Sequence, residues 1–324
     1  MKVKLNKFKA ILLFGLTSLI FTSINSVGQS IKSTDMKNKP IHYRKIEIDK
    51  LNIFYREAGP ANAPVVLLLH GYPTSSHMFR NLIPILSDRY HVIAPDLPGF
   101  GFSDSPSHQQ FDYTFDNLAK TVQGFIDKLG IKRFAVYIFD YGAPVGLRLA
   151  MANPEKITGI ISQNGNAYEE GLSTEWDGIQ KYWRDPSQAN RDSLKDFVSE
   201  KATWVQYHQG ASDTALIAPE TYTLDQAFLD RPGNIEIQLD LVKDYRTNVA
   251  LYPKFHEYFR KHQPKMLLVW GNRDPFFLPA GAEAYKKDNP NAILKFYETG
   301  HFALETHVSE IGKEILNFME TLPL

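Results

Sequence analysis

The chain has 324 residues, with 36 Lys plus Arg against 36 Asp plus Glu, 43% hydrophobic and 13% aromatic residues, and no cysteine. The missing cysteine excludes a disulfide scaffold, a thiolate metal site and a cysteine nucleophile, and the balanced charge argues against nucleic acid or a polybasic membrane contact as partner. The length admits one large α/β domain with an inserted subdomain, or two domains. At the N-terminus Lys2, Lys4, Lys7 and Lys9 precede the apolar run Ala10 to Phe21 and the small-residue stretch Ser26-Val27-Gly28. This pattern predicts a signal peptide over residues 1–28, cleaved near Gly28. The run is about 12 residues where a membrane span needs roughly 20, so no stable membrane insertion is expected after processing. Export to the periplasm or the medium follows. Without the four leader lysines the basic residues fall from 36 to 32 against 36 acidic ones, a formal charge of about −4, which favours an uncharged substrate.

Residues 29–40 read as a flexible lead-in. Ile41 to Ile48 and Leu51 to Ala58 alternate apolar and polar residues around Asp49-Lys50, predicting an antiparallel hairpin with one buried face. Val65 to Leu69, Val92 to Ala94, Phe134 to Phe139 and Ile157 to Ser162 are continuous apolar runs, as expected of strands buried on both faces of a parallel sheet. Ser76 to Leu86, Asp116 to Leu129 and Ala143 to Ala152 carry apolar residues at helical spacing between them. From Asn166 to Pro264 the βα rhythm stops, and Trp176, Trp183, Trp204 and several tyrosines predict an inserted helical cap over 166–264. Met266 to Trp270 and Ala292 to Tyr297 resume the buried strands, and Leu304 to Met319 closes as a helix. The expected fold is α/β, a doubly wound, mostly parallel eight-stranded sheet whose core spans 41–165 and 265–324.

The run Phe134 to Phe139 leads into Asp140-Tyr141-Gly142-Ala143 and a helix, the strand-turn-helix pattern of a nucleophile elbow with Asp140 in the position that usually holds serine. A carboxylate is ionised at neutral pH and attacks without a base, but its ester makes sense only with an alkylating electrophile. A serine-type esterase or lipase is disfavoured for that reason. Asp140 alone is equally a helix N-cap. Two further motifs favour chemistry. In His70-Gly71-Tyr72-Pro73, Gly71 with Pro73, expected in the cis form, turns the chain so that the Tyr72 N–H joins the Tyr141 N–H in an oxyanion hole. Gly300-His301-Phe302 puts an imidazole on a loop after the last strand. Asp274, after Met266 to Trp270, is placed to orient His301, although Asp-Pro is also a common turn. The loop after Ile157 to Ser162 offers only Gln163, Asn164 and Asn166, none ionisable.

HGYP, DLPGFGFSD from Asp96 to Asp104, FDYGAPVG, GNRDPF and GHFALE together resemble the epoxide hydrolase and haloalkane dehalogenase branch of the α/β-hydrolase superfamily, over essentially the whole mature chain. The resemblance implies attack by Asp140 on an sp3 carbon, then hydrolysis of the ester by water that His301 activates with Asp274 behind it, using no cofactor or metal and water as co-substrate. Dehalogenases of this branch usually have tryptophan after the nucleophile and a donor within HGxP; here Tyr141 and Tyr72 stand there, and fluoroacetate-type arginines are absent. Tyr245 is similar in placement to the ring-opening tyrosine of epoxide hydrolases. Tyr182 is the second donor candidate, one turn beyond Ile179, where the family's first tyrosine falls. His70, Pro73, Trp176 and Trp183 are expected as substrate-pocket residues, His70 also as a structural part of its turn. Epoxide hydrolysis on a small uncharged organic substrate is the expected activity; haloalkane dehalogenation and non-catalytic ligand binding are the alternatives.

Overall fold

The apolar runs pair into one eight-stranded sheet in the computed structural model, which describes residues 40–323. The expected leader, and the lead-in as far as Lys39, lie outside the described residues. Strands β1 (His42–Ile48) and β2 (Leu51–Ala58) form an antiparallel hairpin. Its turn residues Asp49 and Lys50 have φ of 49° and 71°, the left-handed pair whose twist suits a two-residue hairpin loop. After them come β3 (Val65–Leu69), β4 (His91–Pro95), β5 (Phe134–Phe139), β6 (Ile157–Gln163), β7 (Met266–Gly271) and β8 (Ile293–Tyr297), in the spatial order β1-β2-β4-β3-β5-β6-β7-β8. β4, β3, β5, β6, β7 and β8 run parallel, and β2 joins β4 antiparallel.

Strand order corrects two burial expectations. β1 is exposed along most of its length, and β2, which pairs on both sides, is mostly buried, so the hairpin does not bury one face evenly. β8 was expected as a buried strand but is largely exposed, with Ile293 at 42%. Both exposed strands end the sheet.

Between β3 and β4 a single helix is expected over Ser76 to Leu86. The chain instead forms a 3-10 turn at Ser76–Phe79 and a short helix α1 (Leu82–Leu86). Pro84 explains the break, because it lacks an N–H and its ring collides with the carbonyl four residues back, at Arg80. Helix α2 (Phe115–Lys128) is capped by Thr114, whose hydroxyl accepts the Asn117 N–H at 3.2 Å. Helix α3 (Gly142–Ala152) follows β5.

Between β6 and β7 lie helices α4 (Asp177–Arg184), α5 (Gln188–Asp192), α6 (Glu200–His208), α7 (Pro219–Leu229) and α8 (Asn234–His262). The last is 29 residues long and fastens this cap to the sheet's helices. Asp244 accepts the Phe115 N–H at 2.8 Å, a carboxylate on the positive end of α2, and Arg148 of α3 donates to Asn248 at 2.7 Å. Helix α9 (Pro279–Asp288) has no counterpart among the expected elements, since its buried Ala282, Ala284 and Tyr285 make too thin an apolar stripe to register. Helix α10 (Ala303–Met319) closes the chain.

Alternate residues of β3 face opposite layers. Leu67 and Leu69 join the core with α2 and α3, while Val66 and Leu68 join the core with α1 and α10. Each such buried aliphatic side chain contributes roughly 1.5–3 kcal/mol, so the strand ends that carry the polar turns below are held from both sides. Among the described residues no helix is long and apolar enough to cross a membrane.

Candidate active site

At the C-terminal ends of the parallel strands, where α/β sheets place their ligands, β3 leads to His70-Gly71-Tyr72-Pro73, β5 to Asp140, β7 to Asp274, and β8 to the loop that bears His301. Asp140 has φ of 46°, a left-handed conformation that a non-glycine residue adopts only where its surroundings impose it. Those surroundings are tight. A Cβ on Gly71 would collide with the Asp140 side chain, and one on Gly142 with the Leu69 carbonyl. Glycine at both positions lets the turn, the neighbouring strand and α3 close on one another.

The Tyr72 N–H donates to Asp140 Oδ1 at 2.6 Å, and the Tyr141 N–H also acts on the carboxylate. The two donors thus sit together where an oxyanion formed on this carboxyl group would need them. His301 directs Nε2 toward Asp140 Oδ2, 3.9 Å away, and Nδ1 toward Asp274 Oδ2 at 2.7 Å. Burial pushes the Asp140 pKa up to about 6, with His301 and the two backbone N–H groups pulling the other way. Burial by itself would depress His301, but the charge and hydrogen bond of Asp274, with Asp140 beyond, hold it above its ordinary value. With its pKa at about 6, Asp140 favours the ionised form at neutral pH, the form that can act as a nucleophile without a base.

Neutral side chains fix this pair. Asn164 donates to Asp274 Oδ2 at 2.7 Å and accepts the Gly271 N–H at 3.0 Å, and the Phe276 N–H donates to Asp274 Oδ1 at 2.8 Å. Gln163 donates to the His301 carbonyl at 3.1 Å and accepts from the Tyr137 hydroxyl. The Phe139 ring lies 4.6 Å from the imidazole. A cavity of about 130 Å³ opens beside Asp140, Tyr72, Tyr141 and His301. Among the described residues no group of three or more His, Cys, Asp or Glu could hold a metal ion.

The sequence profile of the alpha/beta hydrolase fold matches residues 64–308. The chain belongs to the α/β-hydrolase fold family. It is 47% identical over 289 residues to the uncharacterized hydrolase YNR064C of Saccharomyces cerevisiae, covering 87% of this chain and 98% of that one. A haloalkane dehalogenase of Psychrobacter cryohalolentis is 39% identical over 127 residues, 38% of this chain and 42% of its own. Among solved structures, the haloalkane dehalogenase DbeA of Bradyrhizobium elkani superposes with a TM-score of 0.71 at 22% identity, over 87% of this chain and 98% of its own. At that identity the likeness speaks for the fold alone.

In this α/β-hydrolase the structure brings Asp140, Asp274, His301 and the N–H groups of Tyr72 and Tyr141 together, and Trp176 lines the cavity. Five residues expected in the pocket or as proton donors do not line the cavity, Tyr245 among them. His70 is not part of the pocket: its ring is buried, with Nδ1 on the Gly71 carbonyl at 3.0 Å and Nε2 accepting the Leu97 N–H at 2.9 Å, so it braces its own turn. Pro73, in a cis peptide with Tyr72, does not line the cavity. Trp183 does not line it either; its indole donates to the Val242 carbonyl at 2.8 Å and its ring stacks on Tyr245. Tyr182 is also outside the cavity, with its hydroxyl accepting from Arg191 at 3.1 Å, while Ile179 one turn earlier faces it.

Tyr245 forms the layer behind Tyr141 and Trp176, with ring centroids 5.9 and 4.6 Å away. Its buried hydroxyl lies near that of Tyr252 without a hydrogen bond of proper geometry. Burial first, then Tyr252 and the Asp140 charge, hold its pKa well above the usual tyrosine value, so it stays protonated. The Trp176 indole N–H donates to the Phe276 carbonyl at 3.1 Å, and the Tyr72 hydroxyl donates to the Phe197 carbonyl at 2.8 Å. Sequence reasoning missed Gln163, Asn164 and Gln206. The first two, at the end of β6 and just beyond it, were passed over because only an ionisable group was sought there. Gln206, on a cap helix, had no local signal.

Proposed function

We propose that this α/β-hydrolase opens epoxides to vicinal diols. An Asp140 oxygen attacks an epoxide carbon, the C–O bond breaks, and the alkoxide takes a proton from the Tyr245 hydroxyl. Water then attacks the ester carbonyl of Asp140 and gives its proton to His301 Nε2. Asp274 stabilises the imidazolium, and the N–H groups of Tyr72 and Tyr141 hold the oxyanion. Collapse of that intermediate expels the diol oxygen, which receives the proton from His301, and solvent restores the Tyr245 proton. Asp140 re-forms carrying one oxygen and the second proton of the water, and it releases that proton to solvent, which balances the proton Tyr245 regains.

The observation that carries the epoxide reading is the Tyr245 hydroxyl, protonated and buried in the layer directly behind the cavity residues Tyr141 and Trp176, beside the Tyr252 hydroxyl and in the field of the Asp140 carboxylate. An alkoxide leaving group needs such a proton, whereas a halide needs N–H donors aimed at it. The indole N–H groups of Trp176 and Trp183 are both spent on backbone carbonyls. The second reading, haloalkane dehalogenation with the same Asp140, Asp274 and His301, draws support from the partial similarity to haloalkane dehalogenases. Incubation with styrene oxide and, separately, 1-bromobutane separates the two. Diol that disappears in Asp140→Asn supports the epoxide reading, and bromide release without diol overturns it. The leader reading goes with this one: the enzyme acts after export, with a mature N-terminus near Gln29 that sequencing of the secreted protein would find.

A further inference from the structure

The buried face of α6 presents three polar side chains, Thr203, Gln206 and Tyr207. Two are satisfied by neighbours in the cap. Thr203 donates to Gln226 at 2.7 Å, and the Tyr207 hydroxyl donates to Asp225 at 2.5 Å while its ring stacks on Phe302 of the core at 3.9 Å. Those contacts lock α6 against α7 and against the loop after His301, so the direction of Gln206 is fixed. Gln206 is different. It is only 4% exposed, it lines the same cavity as Asp140, Tyr72, Tyr141 and His301, and its Nε2 has no hydrogen-bond partner among the described residues.

A buried amide left unpaired is destabilising, and structures normally satisfy it. In a binding cavity the missing partner is a ligand atom. Away from the reacting residues the wall is mainly apolar, with Ile179, Leu194, Phe197, Val242 and Phe276 beside the rings of Tyr72, Tyr141 and Trp176, so the amide N–H faces a largely hydrocarbon surface. Among the described residues no Lys or Arg lines the cavity, and Glu175, exposed, is the only charged residue there beyond Asp140 and His301. That composition disfavours an anionic group at the amide. A halide, the other acceptor an N–H could hold, needs at least a second donor beside the reacting carbon, and the cap indoles do not supply one.

We propose that Gln206 is a specificity-determining residue: its amide donates to an uncharged acceptor oxygen in the body of the substrate, so the enzyme selects electrophiles whose otherwise apolar chain carries an ether, hydroxyl or carbonyl oxygen. This rests on the reading that the cavity holds the electrophile Asp140 attacks. A site built around such a donor discriminates against an analogue lacking the acceptor, because the donor is then buried unpaired.

The test uses matched ligands that differ only by one oxygen. Binding of butyrophenone and butylbenzene to the whole protein is followed by tryptophan fluorescence, in the wild type and in Gln206→Met, with Gln206→Leu as a second apolar replacement should the first fold poorly. The wild type should bind the ketone about tenfold tighter, in line with one well-made hydrogen bond, and the apolar variants should lose that preference. In turnover, propyl glycidyl ether and 1,2-epoxyheptane form the corresponding pair, and the wild-type preference for the ether should appear in KM and vanish in the variants. A ketone preference that survives in Gln206→Met overturns the proposal, whatever the epoxides do. If neither epoxide is converted while the ketone preference appears and is lost in the variant, the epoxide reading fails and the assignment of Gln206 stands. If bromide quenches the wild type and Gln206→Met abolishes that quenching while leaving the ketone preference intact, the amide serves a leaving halide and the proposal falls.

Discussion

Replacing Asp140 by Asn should stabilise the fold while it abolishes turnover. The carboxylate is buried, and its pKa lies at about 6 in the folded chain against 3.8 for an unconstrained aspartate. A raised folded pKa means that folding favours the protonated form. Asp140 therefore weakens the fold fully above pH 6, and the penalty fades as pH falls and is gone below 3.8. The gap of about two pKa units corresponds to about 3 kcal/mol at 1.36 kcal/mol per unit. Asparagine keeps the shape and the acceptor that Tyr72 N–H uses at 2.6 Å, without the charge. Urea unfolding at pH 8 should show Asp140→Asn more stable than the wild type by up to about 3 kcal/mol, roughly 6 °C in Tm. At pH 3.5 the two should coincide within error. An Asn variant less stable than the wild type at pH 8, or an advantage that grows as pH falls, would refute the assignment of Asp140 as a buried charge held there for chemistry.

Other outcomes follow from the same geometry. Single-turnover ester formation should rise with pH through about 6 as Asp140 ionises. In His301→Gln that limb should move to higher pH, because the imidazole charge that favours the carboxylate is gone; rapid-quench measurements showing a downward move would contradict this. Tyr245→Phe should slow ester formation on epoxides by roughly a hundredfold, the scale of lost acid catalysis, and leave bromoalkanes little changed; equal losses on both would make Tyr245 a packing residue. Asn164→Ala leaves the Gly271 N–H unpaired and frees Asp274, so urea unfolding should show a loss of about 1–3 kcal/mol, and ester hydrolysis should slow more than ester formation. If formation slows more, Asn164 does not act through Asp274.

Asp140 was legible because its cause is local. A strand, a left-handed turn and the glycines that allow close approach lie within a few residues of one another. Asp274 and His301 were legible because each follows an apolar run that could only be an inner or terminal strand of the same sheet. What the sequence withheld depends on distant partners. β8 reads like an inner strand, and only the strand order exposes it at the edge. Pro84 was in plain view and broke the expected helix. In the cap, Tyr182 read as a proton donor and Trp183 as a pocket aromatic, but Arg191 and the Val242 carbonyl claim them. Gln206 gave no signal, since what distinguishes it is the absence of a partner where its helix is packed. Asn164 shows the cost of searching for charge alone, because a neutral amide sets the orientation of the acid.

The central claim is a covalent ester on Asp140, formed by an epoxide and hydrolysed through His301. The most direct test is intact-mass analysis of His301→Gln after incubation with styrene oxide, followed by peptide mapping. An adduct equal to the full mass of the epoxide, with nothing lost, should appear on the peptide that contains Asp140, and none in the Asp140→Asn, His301→Gln double variant. An unmodified protein, or an adduct that persists when Asp140 is replaced, would contradict the claim.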